Sequence, residues 1–180
     1  MDDLKKYDHN PPHLFKKNCK YFITASTFDK VSYFKRNEAK EILLKYIRRS
    51  VDSFSWKLED WVILNNHYHL MLESPENPES LGKMMNNIHK YSAIWINKNA
   101  NEGCSTKIWH NYWDKCLDFE RSYFTRLNYN WYNPVKHGYV IEPQKWEFGS
   151  FCERYLKDRI YLEKLRKDYP FDKLQIDDDF

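Results

Sequence analysis

Glycine is scarce in this sequence, with 4 in 180 residues, and no two stand close enough to build a loop that cradles phosphates. Long apolar runs are missing too. No stretch approaches the ~18 residues needed to span a bilayer, and Met1–Asn10 lacks the apolar core of a signal peptide. These absences predict a soluble, cytoplasmic protein with no membrane partner. The four cysteines, Cys19, Cys104, Cys116 and Cys152, contain no C-x-x-C pair. A structural zinc site is therefore not expected, nothing requires a disulfide, and they read as buried free thiols in a reducing compartment. There is no internal repeat and no linker. A chain of 180 residues and 22.2 kDa suits one domain.

Aromatic rings are abundant: 7 Trp, 14 Tyr and 11 Phe. The charge is uneven. Phe171–Phe180 carries four Asp and one Lys, so the net +3 of the whole chain becomes +6 on residues 1–170. Cations meet phosphates and rings stack on bases, so a basic, aromatic-rich body fits a nucleic-acid binder. A packed core beneath a solvated charged surface explains the same composition.

Tyr21–Thr27 is rich in β-formers and reads as a first strand. Asn37 suits the cap of a helix running to about Ser53, with Ala39, Ile42, Leu43, Tyr46 and Ile47 on its buried side. Trp56–Leu64 and His67–Glu73 form a hairpin around Asn65-Asn66. Ser80 caps a long helix with Leu81, Met84, Met85, Ile88, Tyr91, Trp95 and Ile96 apolar, ending near Gly103. Thr106–His110 and Tyr112–Leu117 read as two short strands. Asp118 caps the next helix, with Phe119, Tyr123 and Leu127 on one stripe, and Pro134 stops it. A final amphipathic helix spans about Phe151–Asp168. The order predicts an α+β fold, helices against a mostly antiparallel sheet.

Two local patterns carry chemistry. His67 and His69 flank Tyr68 on a strand, so both imidazoles share one face and could hold one divalent cation. One buried and one solvent-facing histidine is the alternative. On a helix, Tyr129 and Asn133 stand at i and i+4 and share a face. A phenol beside a metal-bound phosphate can act as nucleophile, and a carboxamide oxygen suits Mg²⁺ or Mn²⁺. An aromatic helix end broken by proline is the plainer reading of that segment. Tyr132 and Tyr123 compete for the nucleophile's role from other helix faces.

The run Trp61-Val62-Ile63-Leu64-Asn65-Asn66-His67-Tyr68-His69-Leu70-Met71-Leu72 resembles the His-hydrophobe-His strand of the single-tyrosine HUH transposases. Asn128-Tyr129 through Asn133-Pro134-Val135-Lys136-His137-Gly138-Tyr139-Val140 resembles the tyrosine block of their REP-associated branch, the RAYTs. Tyr21–Thr24, Ile108–Asp114 and Trp146–Phe151 resemble three supporting blocks in the right order, so the likeness covers about Pro12–Phe151. Asn130 departs from it, standing where the family has an aliphatic residue, and Gly149 replaces a frequent serine. The resemblance implies the HUH endonuclease, ferredoxin-like fold: a central antiparallel sheet flanked by helices. It implies His67, His69 and Asn133 as ligands of Mg²⁺ or Mn²⁺, and Tyr129 as a nucleophile that forms a 5′-phosphotyrosine on single-stranded or hairpin DNA. Tyr68 is expected to point to the opposite face and pack against a helix.

The chain then divides into an arm (1–18), the transposase domain (19–150), a C-terminal helix (151–170) and an acidic tail (171–180) that could compete with DNA. Lys83, Lys90, Arg121, Arg126 and Lys136 are candidate DNA contacts, with Arg48-Arg49 and Lys16-Lys17 weaker ones. Trp109 and Trp113 could stack on bases or pack in the core. His89, His110 and His137 read as scattered surface or hydrogen-bonding histidines. Relatives include homodimers with shared sites and chains that act alone, so the tyrosine could serve either its own or a partner's His pair. Two other readings compete: a DNA-binding protein that no longer cuts, and a metal hydrolase acting on a small molecule.

Overall fold

Residues 20–27 alternate so that Tyr21, Ile23 and Ala25 face one way and Phe22, Thr24 and Ser26 the other, and both sets are buried. A strand covered on both faces must lie inside a sheet with helices above and below. The computed structural model, which describes residues 15–99, 105–172 and 174, has that architecture. The strands are β1 (Lys20–Thr27), β2 (Lys57–Ile63), β3 (His67–Glu73) and β4 (Trp109–Leu117). The helices are α1 (Asn37–Ser53), α2 (Leu81–Asn99), α3 (Glu120–Lys136), α4 (Phe151–Lys157) and α5 (Arg159–Asp168). The sheet is antiparallel throughout, in the order β2-β3-β1-β4.

Helices α1 and α2 cover one face through Leu43, Ile47, Leu81, Met84, Met85 and Ile88, packed on Tyr21, Ile23, Tyr68, Leu70 and Leu72. Helices α3, α4 and α5 cover the other through Leu127, Tyr129, Trp131, Phe151, Leu162 and Leu165, packed on Phe22, Met71 and Leu117. Tyr68 points to the first face as expected, its hydroxyl 3.0 Å from Nε2 of His89 on α2. His89, half-buried, is thereby a hydrogen-bonding histidine of this layer, one of the two expectations for it. Packing against Trp109, 4.5 Å away centroid to centroid, desolvates its imidazole and holds its pKa far below the ordinary value.

Several sequence expectations are corrected. The two short strands expected over Thr106–Leu117 are one strand, β4, with a β-bulge opposite Ser26 where a turn was read. Ala25 pairs with Tyr112 and Thr27 with Trp109, so two β4 residues, His110 and Asn111, stand opposite one on β1. Ser80 ends a short 3₁₀ turn (Pro78–Ser80), and its hydroxyl donates to the Asn77 carbonyl instead of capping α2. Neither Asn37 nor Asp118 caps a helix: the cap positions are Arg36 and Phe119, and Asp118 pairs with Lys16 at 2.7 Å. Phe119 is exposed. The last helix is broken at Asp158, whose carboxylate accepts from the Tyr161 amide and starts α5. Gly103 and Cys104 lie outside the described residues, as do 1–14, 173 and 175–180. Cys19, Cys116 and Cys152 are half-buried rather than buried. Cys19 and Cys116 converge with Asp118, their ligand atoms within 4.8 Å of one another.

Pro134 does not stop α3, which continues to Lys136. A proline near a C-terminus costs little where the following turn is secured. Here the Tyr139 amide donates to the Pro134 carbonyl (2.9 Å) and the Gly138 amide to Val135 (3.0 Å), with Gly138 at φ 70°. That is the Schellman arrangement, and glycine takes its left-handed position without strain.

Candidate active site

Thr24, Ser26, His67, His69 and Met71 are on the face of the sheet that carries α3, because His67 pairs with Ser26 and His69 with Thr24 in register. The two imidazoles are 1% and 0% exposed, with ring centroids 5.2 Å apart. Each is held from behind: His67 Nδ1 lies 2.7 Å from Asn66 Oδ1, and His69 Nδ1 lies 2.9 Å from Thr24 Oγ1. Their Nε2 atoms are left facing α3. Fixing one ring nitrogen to present the other is how proteins orient ligating histidines.

Asn133 meets both rings. Its Oδ1 is 3.1 Å from His67 Nε2 and its Nδ2 is 3.2 Å from His69 Nε2. Two imidazole nitrogens and a carboxamide oxygen converging in one buried spot form a donor set that fits a hard or borderline divalent cation. Tyr129, one turn earlier on the same face, lies edge-on to His69 (5.6 Å) and to Phe22 (6.4 Å). Lys136 donates to the Tyr129 hydroxyl at 3.2 Å, and its ammonium sits 5.0 Å from that ring's centroid. His137 adds a third imidazole, edge-on to His67 at 4.9 Å. From sequence His137 reads both as a scattered surface or hydrogen-bonding histidine and, beside Lys136 in the tyrosine block, as a group that could face the substrate.

The competing tyrosines are engaged elsewhere. Tyr132 stacks on Phe171 (5.5 Å) beneath the Arg166 guanidinium (4.2 Å), turned toward α5. Tyr123 donates to Glu59 at 3.2 Å, and burial raises its pKa.

What fixes α3 on the sheet is a buried carboxylate that sequence reading missed. A second bulge, between Leu58 and Asp60, aims Glu59 and Asp60 at α3 and α4. Asp60 is fully buried and accepts from Asn130 Nδ2, from Trp131 Nε1 (2.9 Å) and from Arg154 Nε (2.9 Å). Burial raises its pKa, while Arg154 and the neighbouring donors pull it down. The departure at Asn130 is thus explained: the residue after the tyrosine is polar because it faces Asp60.

Not every candidate DNA contact lies near this centre. Lys136 does. Lys83 and Lys90 are exposed on α2, the layer opposite the His pair, and Arg121 is exposed in the first turn of α3. Arg126 is buried, its guanidinium turned to the Ser122 carbonyl and hydroxyl. Trp109 is core, whereas Trp113 is half-buried on the His face.

Residues 15–126 match the IS200-like transposase family, a span that includes the His pair and ends three residues before Tyr129. Over 157 residues the chain is 27% identical to a Haemophilus influenzae protein provisionally named a REP-associated tyrosine transposase, covering 83% of this chain and 88% of that one. Over 100 residues it is 28% identical to the REP-associated tyrosine transposase of Escherichia coli K12, covering 53% and 54%. Among solved structures, a REP-associated tyrosine transposase bound to a REP hairpin superposes with a TM-score of 0.70 at 22% identity, covering 95% of this chain and 94% of that one, which shows a shared fold. Among the described residues no helix is long and apolar enough to cross a membrane.

Proposed function

The chain belongs to the IS200-like transposase family, with REP-associated tyrosine transposases among its relatives, and we propose that it is a divalent-metal-dependent endonuclease and strand transferase for single-stranded, hairpin-bearing DNA. The observation that carries this reading is Asn133, which bridges the Nε2 atoms of both histidines one helical turn from Tyr129. His67, His69 and Asn133 are the residues that would hold Mg²⁺ or Mn²⁺. Bound there, such an ion would neutralise charge that builds on the scissile phosphate.

The remaining steps belong to the chain's own groups. Tyr129 Oη attacks phosphorus, and the P–O3′ bond breaks in line with the attack. The leaving oxygen takes up a proton and becomes a free 3′-hydroxyl, while the 5′-phosphate stays esterified to Tyr129. The Tyr129 phenol surrenders its proton to water as the bond forms. Lys136, which donates to that phenolic oxygen, holds it in place for attack. A second 3′-hydroxyl attacking the phosphotyrosine reverses the step and joins strands without nucleotide hydrolysis. One chain contains all four groups, so the reading needs no partner subunit.

Cleavage of an end-labelled single-stranded hairpin oligonucleotide with Mn²⁺ tests it. The His67→Ala/His69→Ala double variant should lose metal-dependent cleavage altogether. Undiminished cleavage in that variant excludes the metal site.

A further inference from the structure

The bulge in β4 does more than interrupt pairing. A regular strand would send His110 and Trp113, three residues apart, to opposite faces. With two β4 residues opposite Ser26, Trp109 and Tyr112 both point into the α1/α2 core, where they pack. His110 and Trp113 are left together on the face of the His pair. Their rings stack there, 5.8 Å apart at 18° between planes. His110 in turn stacks on Phe28 at 6.3 Å and 27°. The Lys107 ammonium lies 4.6 Å from the Phe28 centroid. The result is a ladder of three roughly parallel rings with a cation at one end. All three rings are half-buried and Lys107 is exposed.

The ladder is continuous with the candidate active site. Trp113 pairs with Thr24, and Thr24 pairs with His69, so the three share one row across the sheet. Two strand spacings put Trp113 about 10 Å from His69, about three nucleotides at the ~3.4 Å per-strand rise of stacked bases. Lys115, exposed two residues further along β4, lies on the same face. Successive rings flanked by ammonium groups make a surface for stacked bases and their phosphates, and such stacking is tolerant of sequence.

We propose that Phe28, His110 and Trp113, with Lys107 and Lys115, form a stacking platform for unpaired nucleotides adjoining the scissile phosphate. The platform rests on the nuclease reading, because it assigns a track to the single-stranded part of that substrate. It also separates two kinds of contact. The platform holds the unpaired segment, and the double-stranded stem is held elsewhere.

The test compares two oligonucleotides on Tyr129→Phe protein, which cannot turn over: a blunt hairpin, and the same hairpin with an oligo-dT extension. Binding is read by fluorescence anisotropy. The added substitutions Trp113→Ala and His110→Ala should weaken the extended hairpin on the order of tenfold and leave the blunt one unchanged. Trp113→Phe, which keeps a ring and the packing, should retain most of the affinity. Lys107→Ala should lower the salt slope for the extended hairpin by about one. Equal weakening of both hairpins, no weakening of either, or a Phe variant as poor as the Ala variant overturns the platform. Covalent adducts on the extended hairpin, formed by protein with an intact Tyr129, decide the nuclease reading separately. If they form while the platform variants bind normally, the platform alone falls. If the protein binds neither oligonucleotide, both fall.

Discussion

One sheet serves two faces of opposite character, and β3 shows it within six residues. From His67 to Leu72 every residue is buried, yet Tyr68, Leu70 and Leu72 enter an apolar layer with α1 and α2, while His67, His69 and Met71 face α3. Burial therefore does not tell core from site here. Partner chemistry does: the first face meets mostly side-chain carbon, and the second meets a carboxamide, a phenol and, on β2, a carboxylate bound by three donors. Period-two alternation places the chemistry one residue from the packing that stiffens it.

The contrast can be broken first at Asp60. Replacing it by Leu removes the acceptor for Asn130, Trp131 and Arg154 and leaves a guanidinium without its buried partner. A loss of about 3–5 kcal/mol in denaturant unfolding is expected. Cleavage should fall with it even at temperatures where the protein stays folded, because α3 loses its register. On the other face, Leu43→Ala should cost about 2–5 kcal/mol, with the cleavage rate per folded molecule unchanged, since Leu43 touches only the apolar layer.

A smaller effect separates the faces by pH. Lys40, buried on α1, donates to the Lys35 carbonyl and lies near the rings of Trp146 and Phe148. Desolvation brings its pKa down to about 8. The unfolded chain then holds a proton that the folded chain has shed, so this group's contribution to stability rises as pH climbs from about 8 toward 10.5. The gain should be on the order of 1–2 kcal/mol, read as the pH dependence of the unfolding midpoint. Lys40→Met should flatten it.

Strands β1, β2 and β3 and the hairpin at Asn65-Asn66 were legible, because alternation and turn residues are local signals. The grouping of His67 and His69 with Tyr129 and Asn133 rested on the family resemblance, since spacing alone left plainer readings open. The two bulges were not. Nothing in Thr106–Leu117 or Trp56–Leu64 marks an extra residue; a bulge exists only relative to the strand beside it. Asp60 was invisible for the same reason, since its donors lie about seventy residues or more further on, at Asn130, Trp131 and Arg154. Pro134 misled because the rule for the residue before proline is local, whereas Asn133 is kept helical by the turn at Gly138 and by its contacts with both histidines.

The central claim is that Tyr129 is the nucleophile beside a ligand set supplied by the same chain. The direct measurement is tandem mass spectrometry of the protein after incubation with a single-stranded hairpin and Mn²⁺. Trypsin cutting after Arg126 and Lys136 releases Leu127–Lys136, a peptide that holds both Tyr129 and Tyr132. The account predicts a nucleotide adduct whose fragments place it on Tyr129 and which disappears in Tyr129→Phe. An adduct on Tyr132, or one that persists in Tyr129→Phe, would contradict it.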